Sequence, residues 1–139
     1  MFVMIAGCGS SGSGGSGSDS PPSNPYGTLS ISGSGKAITG DQYSPNFITY
    51  FPTSYGASYA WTYNDSRSTD YKSVSISAYG TSTNVEFDVS ISGITYSWTT
   101  TSGTGVTIGS SSIIFNNVTL AGSVNTTTSL ILNGTLIFM

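Results

Sequence analysis

From residue 26 onward, apolar and hydroxyl-bearing side chains take turns along the chain. Leu29 and Ile31 alternate with Ser30 and Ser32, and Tyr59, Trp61 and Tyr63 with Ala60 and Thr62. Val74, Ile76 and Ala78 alternate with serines. Val85, Phe87, Val89 and Ile91 alternate with Asn84, Glu86, Asp88 and Ser90, and Ile94, Tyr96 and Trp98 with Thr95, Ser97 and Thr99. A period of two puts each apolar set on one face of a half-buried strand. Nowhere does a 3.6-residue apolar pattern run for three turns. Turn-forming pieces separate the runs: Gly33-Ser34-Gly35, Asn64-Asp65-Ser66, Gly80-Thr81-Ser82, Ser92-Gly93 and Ser102-Gly103. The break at Gly93 suits a tight hairpin between 84–91 and 94–100. Further runs follow at 106–108, 113–115, 118–120 and 130–138. In the last, Leu130, Leu132, Leu136 and Phe138 share one face, with Gly134 between. The expectation is an all-β domain over residues 27–139: a single antiparallel β-sandwich or meander barrel of about 8–10 strands. Pro45 and Pro52 place 41–56 in a loop. The pattern leaves open which face of 57–63 turns inward.

Charge narrows the partners. Only 6% of the 139 residues are charged, and the net charge is −3. A typical domain carries about 25%. Lys36, Arg67 and Lys72 are the only cations. They are too few for the basic patch that nucleic acid demands, so no nucleic-acid partner is expected. Apolar content of 37%, with 12% aromatic, argues for a packed domain rather than a disordered tract.

The N-terminus has a different character. Phe2 to Ala6 are apolar, Gly7 is small, and Cys8 is the one cysteine. Gly and Ser fill residues 9–18, and the tract closes with Pro21-Pro22-Ser23-Asn24-Pro25. Residues 9–25, as a Gly/Ser chain, reach roughly 23 Å. One thiol makes no internal disulfide, and no run approaches the ~20 apolar residues of a membrane-spanning helix.

Ile5-Ala6-Gly7-Cys8 resembles the lipobox of bacterial lipoproteins, whose cysteine is acylated and becomes the mature N-terminus. The resemblance implies a leader at 1–7, a lipidated Cys8 with a tether over 8–26, and a lipid-anchored place in the bacterial cell envelope, at the outer membrane or cell surface. No Lys or Arg precedes Cys8, and the apolar run is shorter than a full leader. Two readings stay open: a true start upstream of Met1, or a cytosolic chain with a short hydrophobic tail. Ile113 to Leu120, Ser129 to Phe138 and Ser30 to Gly35 also look like parts of small bacterial lipoproteins with no assigned activity. That likeness implies a fold and a location and carries over no catalytic residue.

Catalytic chemistry finds little support. There is no histidine, which removes His-dependent nucleophilic catalysis and the commonest metal ligand. Of the six carboxylates, Glu86 and Asp88 lie two apart on one strand face, a spacing that a small glycan-active enzyme could use. The plainer reading is a solvated sheet face. Asp65 to Asp70 lacks the spacing of a calcium loop. Gly33-Ser34-Gly35-Lys36 lacks the first glycine and the Ser/Thr of a phosphate loop, and no helix is expected after it. The Asn-x-Ser/Thr triplets at Asn64, Asn117, Asn125 and Asn133 are expected by chance in so Asn-, Ser- and Thr-rich a chain. No catalytic residue, metal or cofactor is therefore expected.

The aromatics carry the functional hint. Tyr43, Phe47, Tyr50, Phe51, Tyr55, Tyr59, Trp61, Tyr63 and Tyr71 crowd a short stretch. Aromatic faces stack on sugar rings. Tyr50, Phe51, Tyr55, Tyr59, Trp61 and Tyr63 are the candidate ligand-binding residues, with Tyr50, Phe51 and Tyr55 expected to be the most exposed. The competing reading makes Tyr59, Trp61 and Tyr63 a core stripe. The leading expectation is a non-enzymatic, lipid-anchored envelope protein with a structural or interaction β domain, whose partner is the membrane and another envelope protein. The alternatives are a neutral-glycan-binding or adhesin module and, more weakly, a glycan-active enzyme. A small transmembrane barrel is a further reading, with strands of 5–9 residues set against the 9–11 that spanning requires.

Overall fold

The computed structural model describes residues 24–53, 58–66, 70–100 and 104–138, the side chains of 51–53 and 58 excepted. Residues 1–23, with Cys8 and most of the tether, and Tyr55 lie outside the described residues. The strands are β1 (Gly27–Ser32), β2 (Gln42–Tyr43), β3 (Phe47–Thr53), β4 (Ser58–Asp65), β5 (Tyr71–Tyr79), β6 (Ser82–Ile91), β7 (Ile94–Thr100), β8 (Val106–Ile108), β9 (Ser112–Val124) and β10 (Ser129–Ile137). One helical turn, α1 (Lys36–Thr39), interrupts them.

All ten strands join one antiparallel sheet in the order β2-β1-β10-β9-β7-β6-β5-β4-β3, with β8 also on β9. The sheet curls into a half-barrel, so the all-β reading holds and the barrel is the nearer of its two forms. Strands β3 to β7 form a consecutive meander. Its hairpins follow from turn chemistry. Ser92 (φ 50°) and Gly93 (φ 83°) are both left-handed, as a type I′ turn requires, and they bring Ile91 opposite Ile94.

The return path is non-local. β1 pairs with β10 from Gly27↔Leu136 to Ser32↔Ile131, which ties the two ends of the domain together. β7 and β8 together act as one interrupted strand along β9. Between Thr99↔Ala121 and Val106↔Phe115 the chain advances seven residues on one side and six on the other. The β9–β10 ladder shifts between Leu132 and Gly134. Asn117 there takes φ 52°, and it bonds twice to the Asn133 side chain across the bulge: the Asn117 backbone N–H donates to Asn133 Oδ1 (2.8 Å), and Asn133 Nδ2 donates to Asn117 Oδ1 (3.1 Å).

The alternation sorts the faces. Leu29, Ile31, Val74, Ile76, Val85, Phe87, Val89, Trp98, Ile113, Phe115, Val118, Leu120, Leu130, Leu132 and Leu136 are buried inside the curl. Full burial of one such side chain contributes about 1.5–3 kcal/mol. The cross-strand sets Thr62–Ser75–Glu86–Thr99 and Asn64–Ser73–Asp88–Ser97 lie on the outer face, where Asn64, Ser73 and Ser97 are nonetheless buried. β6 and β9, at 10 and 13 residues, exceed the expected strand lengths. The hydroxyl-rich outside and apolar inside are, however, the reverse of a lipid-facing barrel. Among the described residues no helix is long and apolar enough to cross a membrane.

Two expectations need correction. Residues 41–56 are not all loop, because Phe47–Thr53 forms β3 and Gln42–Tyr43 forms β2. β3 is a sheet edge, and an edge is where a proline such as Pro52 costs the ladder no bond. A helical turn does follow Gly33-Ser34-Gly35, but Gly35 caps it without a side-chain bond and Gly40 (φ 84°) ends it after four residues. Lys72 Nζ donates to Thr39 O (2.7 Å), holding α1 at the Asp65–Lys72 end of β4 and β5.

Candidate functional site

The opposite end of β4 opens into an aromatic cleft. Tyr59 and Trp61 share the inward face of β4, and Tyr50 of β3 stands directly across from Trp61. The register therefore stacks three rings from two neighbouring strands. Tyr50 lies 5.5 Å from Trp61 at 17° and 6.4 Å from Tyr59 at 8°, and Tyr59 lies 5.8 Å from Trp61 at 22°. Phe138, just past β10, joins them at 6.0 Å from Tyr50 and 5.1 Å from Trp61.

These four rings, with Ile108, Gly109 and Ser110, line a cleft of about 280 Å³. A second groove of about 490 Å³ shares Tyr50, Ser110 and Phe138 and adds Ile48 and Ser111. Tyr50 and Tyr59 are each 41% exposed, whereas Trp61 beneath them is 2% exposed. Phe138 is held in place by its N–H, which donates to Ser111 O (2.9 Å). Among the described residues no Asp, Glu, Lys or Arg lines either hollow.

The candidate residues thus divide. Tyr50, Tyr59 and Trp61 come together in the cleft, with Trp61 as its floor. The Phe51 side chain and Tyr55 fall outside the described residues. Tyr63 is fully buried deeper along β4, away from the cleft lining. Tyr43 is also core, its hydroxyl donating to Tyr63 O (2.7 Å) and its ring set edge-on to Phe87 at 5.3 Å. Tyr71 sits on the outer face and donates to Asn64 Oδ1. Sequence reasoning misses Phe138, Ile108 and Ser110 as site residues. Only the face shared by Phe138 and Leu136 points toward the interior, and nothing local shows which aromatics it would meet.

Two buried polar atoms in this region have no hydrogen-bond partner among the described residues: the Trp61 indole N–H and the Tyr63 hydroxyl. Such a group costs about 1–3 kcal/mol. Burial pushes the Tyr63 phenol well above the ordinary tyrosine value of 10.0. Above pH ~10 the unfolded chain releases this proton while the folded chain keeps it, so stability falls as pH rises. Tyr63→Phe removes both costs. The variant should be more stable by about 1 kcal/mol at pH 7, and its melting temperature should fall less steeply than that of the wild type between pH ~9 and ~11. Equal slopes in thermal melts would show that Tyr63 is not the group responsible.

The carboxyl pair lies elsewhere. Glu86 and Asp88 are on the outer face of β6, whereas Val85, Phe87 and Val89 of the same strand face the core with Trp61. Ser97 Oγ donates to Asp88 Oδ1. Partial desolvation, then the charge of Asp88 and a hydrogen bond to it, raise the Glu86 pKa. Among the described residues no three His, Cys, Asp or Glu side chains gather as a metal site. Set against known proteins, the chain matches no protein-family profile, no curated protein and no solved structure.

Proposed function

We propose that this is a non-enzymatic interaction domain, held at the bacterial cell envelope by a lipid on Cys8 and presenting the aromatic cleft as its binding surface. The observation that carries the reading is the separation of chemistry from shape. The hollow that could receive a ligand is aromatic and has no charged side chain among its described lining residues, while the Glu86–Asp88 pair occupies the opposite face of the sheet. A glycosidase needs its carboxyls to flank the bond it cleaves. The anchor reading rests on Ile5-Ala6-Gly7-Cys8 and the Gly/Ser tract behind it. Stable membrane attachment takes more than one acyl chain, which a lipoprotein cysteine would supply.

The test is the intact mass of the N-terminal peptide, after expression in a bacterium with the native upstream DNA. A peptide beginning at Cys8 with two or three acyl chains, recovered in the membrane fraction, is the expected result. An unmodified Met1 peptide in the soluble fraction overturns the anchor.

A further inference from the structure

We infer that the cleft binds an uncharged glycan, with pyranose rings laid on Tyr50 and Tyr59. This rests on the interaction-domain reading and names the ligand of that same surface.

The first ground is exposure where packing would predict burial. Tyr50 and Tyr59 project from the core-facing side of β3 and β4, yet each remains 41% exposed. Their planes lie within 8° of each other, and Trp61 and Phe138 back them. The result is an apolar surface whose rings are already stacked against one another before any ligand arrives. Aromatic anchors lose little conformational freedom on binding, and a rigid site avoids the ordering cost that weakens association.

The second ground is charge. A polyanion or polycation would find no counter-charge among the described lining residues. A neutral, equatorially substituted pyranose shows C–H bonds on its flat faces and carries hydroxyls around its rim. The faces suit aromatic rings. The rim hydroxyls suit the Ser110 and Ser111 side chains and the tyrosine hydroxyls. A few polar groups around an apolar hollow are the usual composition of a small-ligand site.

The third ground is shape. The cleft and the adjoining groove, about 280 and 490 Å³, meet at Tyr50, Ser110 and Phe138. Together they fall in the size range of ligand sites, about 300–1,000 Å³. The groove reaches Ile48 of the edge strand β3, and the combined length suits an oligosaccharide more than a single ring.

The test is calorimetric titration of the full chain, carrying Cys8→Ser to prevent acylation, with chitohexaose and cellohexaose. Hexagalacturonate is the charged control. Saturable binding of either neutral sugar supports the inference, provided that Tyr50→Ala and Tyr59→Ala each weaken it by about tenfold. Tyr50→Phe should retain most of the affinity, because it keeps the ring. Tyr79→Ala, on the outer face, should leave binding unchanged. Thermal melts identify any variant that has lost its fold, and Tyr50→Leu, which keeps apolar bulk but loses the flat aromatic face, then carries the comparison and should bind several-fold more weakly than Tyr50→Phe. No binding of either neutral sugar overturns the inference. So does equal affinity in folded Tyr50→Ala, or tighter binding of hexagalacturonate. Acylation of Cys8 is measured on a separate peptide, so failure here and failure of the anchor are distinguishable.

Discussion

Trp98→Ala should destabilise the domain by about 3–5 kcal/mol, the cost of emptying a large aromatic site in a core. Trp98 has no exposed surface and meets Phe87 edge-on, with centroids 6.4 Å apart at 76°. Its indole N–H donates to Thr128 Oγ1 (3.1 Å), a bond that truncation also removes. The ring packs tightly against the chain just after β1, since a Cβ on Gly35 would stand only 2.9 Å from its Nε1. One side chain thus bridges β7, the β9–β10 connection and the approach to α1. Domain stabilities are typically about 5–15 kcal/mol, so this one change should remove a large share of the total. Urea unfolding followed by far-UV circular dichroism measures the loss. Trp98→Phe should recover more than half of it, because it restores most of the volume and lacks only the hydrogen bond. A loss below ~1 kcal/mol for the alanine variant would mean that the core is not centred on this residue.

Gly134→Ala should have a comparable effect for a different reason. Gly134 takes φ 134°, where a side chain is strained, at the register shift opposite Leu29. An added Cβ would lie 2.4 Å from Thr28 O and 3.1 Å from Leu29 Cα. Both are backbone atoms of β1, so relief requires moving the strand that joins the two ends of the domain. Backbone strain alone costs about 1–3 kcal/mol. With weakened β1–β10 pairing added, the expected loss is about 3 kcal/mol or more. Gly80→Ala is the matched control: Gly80 (φ 59°) has nothing within 4 Å of the place its new methyl group would occupy, so only the local cost of about 1–2 kcal/mol applies. Equal midpoints for the two variants in urea titrations would refute the account of the β1–β10 contact.

Particular residues show what alternation can and cannot reveal. Val85 to Ile91 and Ile94 to Trp98 are readable because one face of each strand meets the core and the other meets solvent, and Ser92-Gly93 sets their register. Phe47–Thr53 is not readable as a strand, since Pro45 and Pro52 weigh against it unless the strand is known to be an edge. Edge position is a property of the assembled sheet, not of the segment. The same holds for the order of strands: the pairing of β1 with β10 depends on distant partners that no local pattern encodes. The site is half legible for this reason. Tyr50, Tyr59 and Trp61 stand out as an aromatic cluster, but the inward face of Trp61 separates floor from rim only once β4 has neighbours. Phe138 enters because the curl brings the end of β10 against β3 and β4.

The most direct test of the cleft uses the chain's two tryptophans, whose indole N–H signals report on different places. Trp61 floors the cleft under Tyr50 and Tyr59, and Trp98 is bonded to Thr128 within the core. Chitohexaose should be titrated into ¹⁵N-labelled protein while both indole cross-peaks are followed. The account predicts that the Trp61 peak shifts progressively to saturation, as the rings above it take up a ligand, while the Trp98 peak stays in place. A stationary Trp61 peak at saturating sugar, or movement of Trp98 alone, would contradict it.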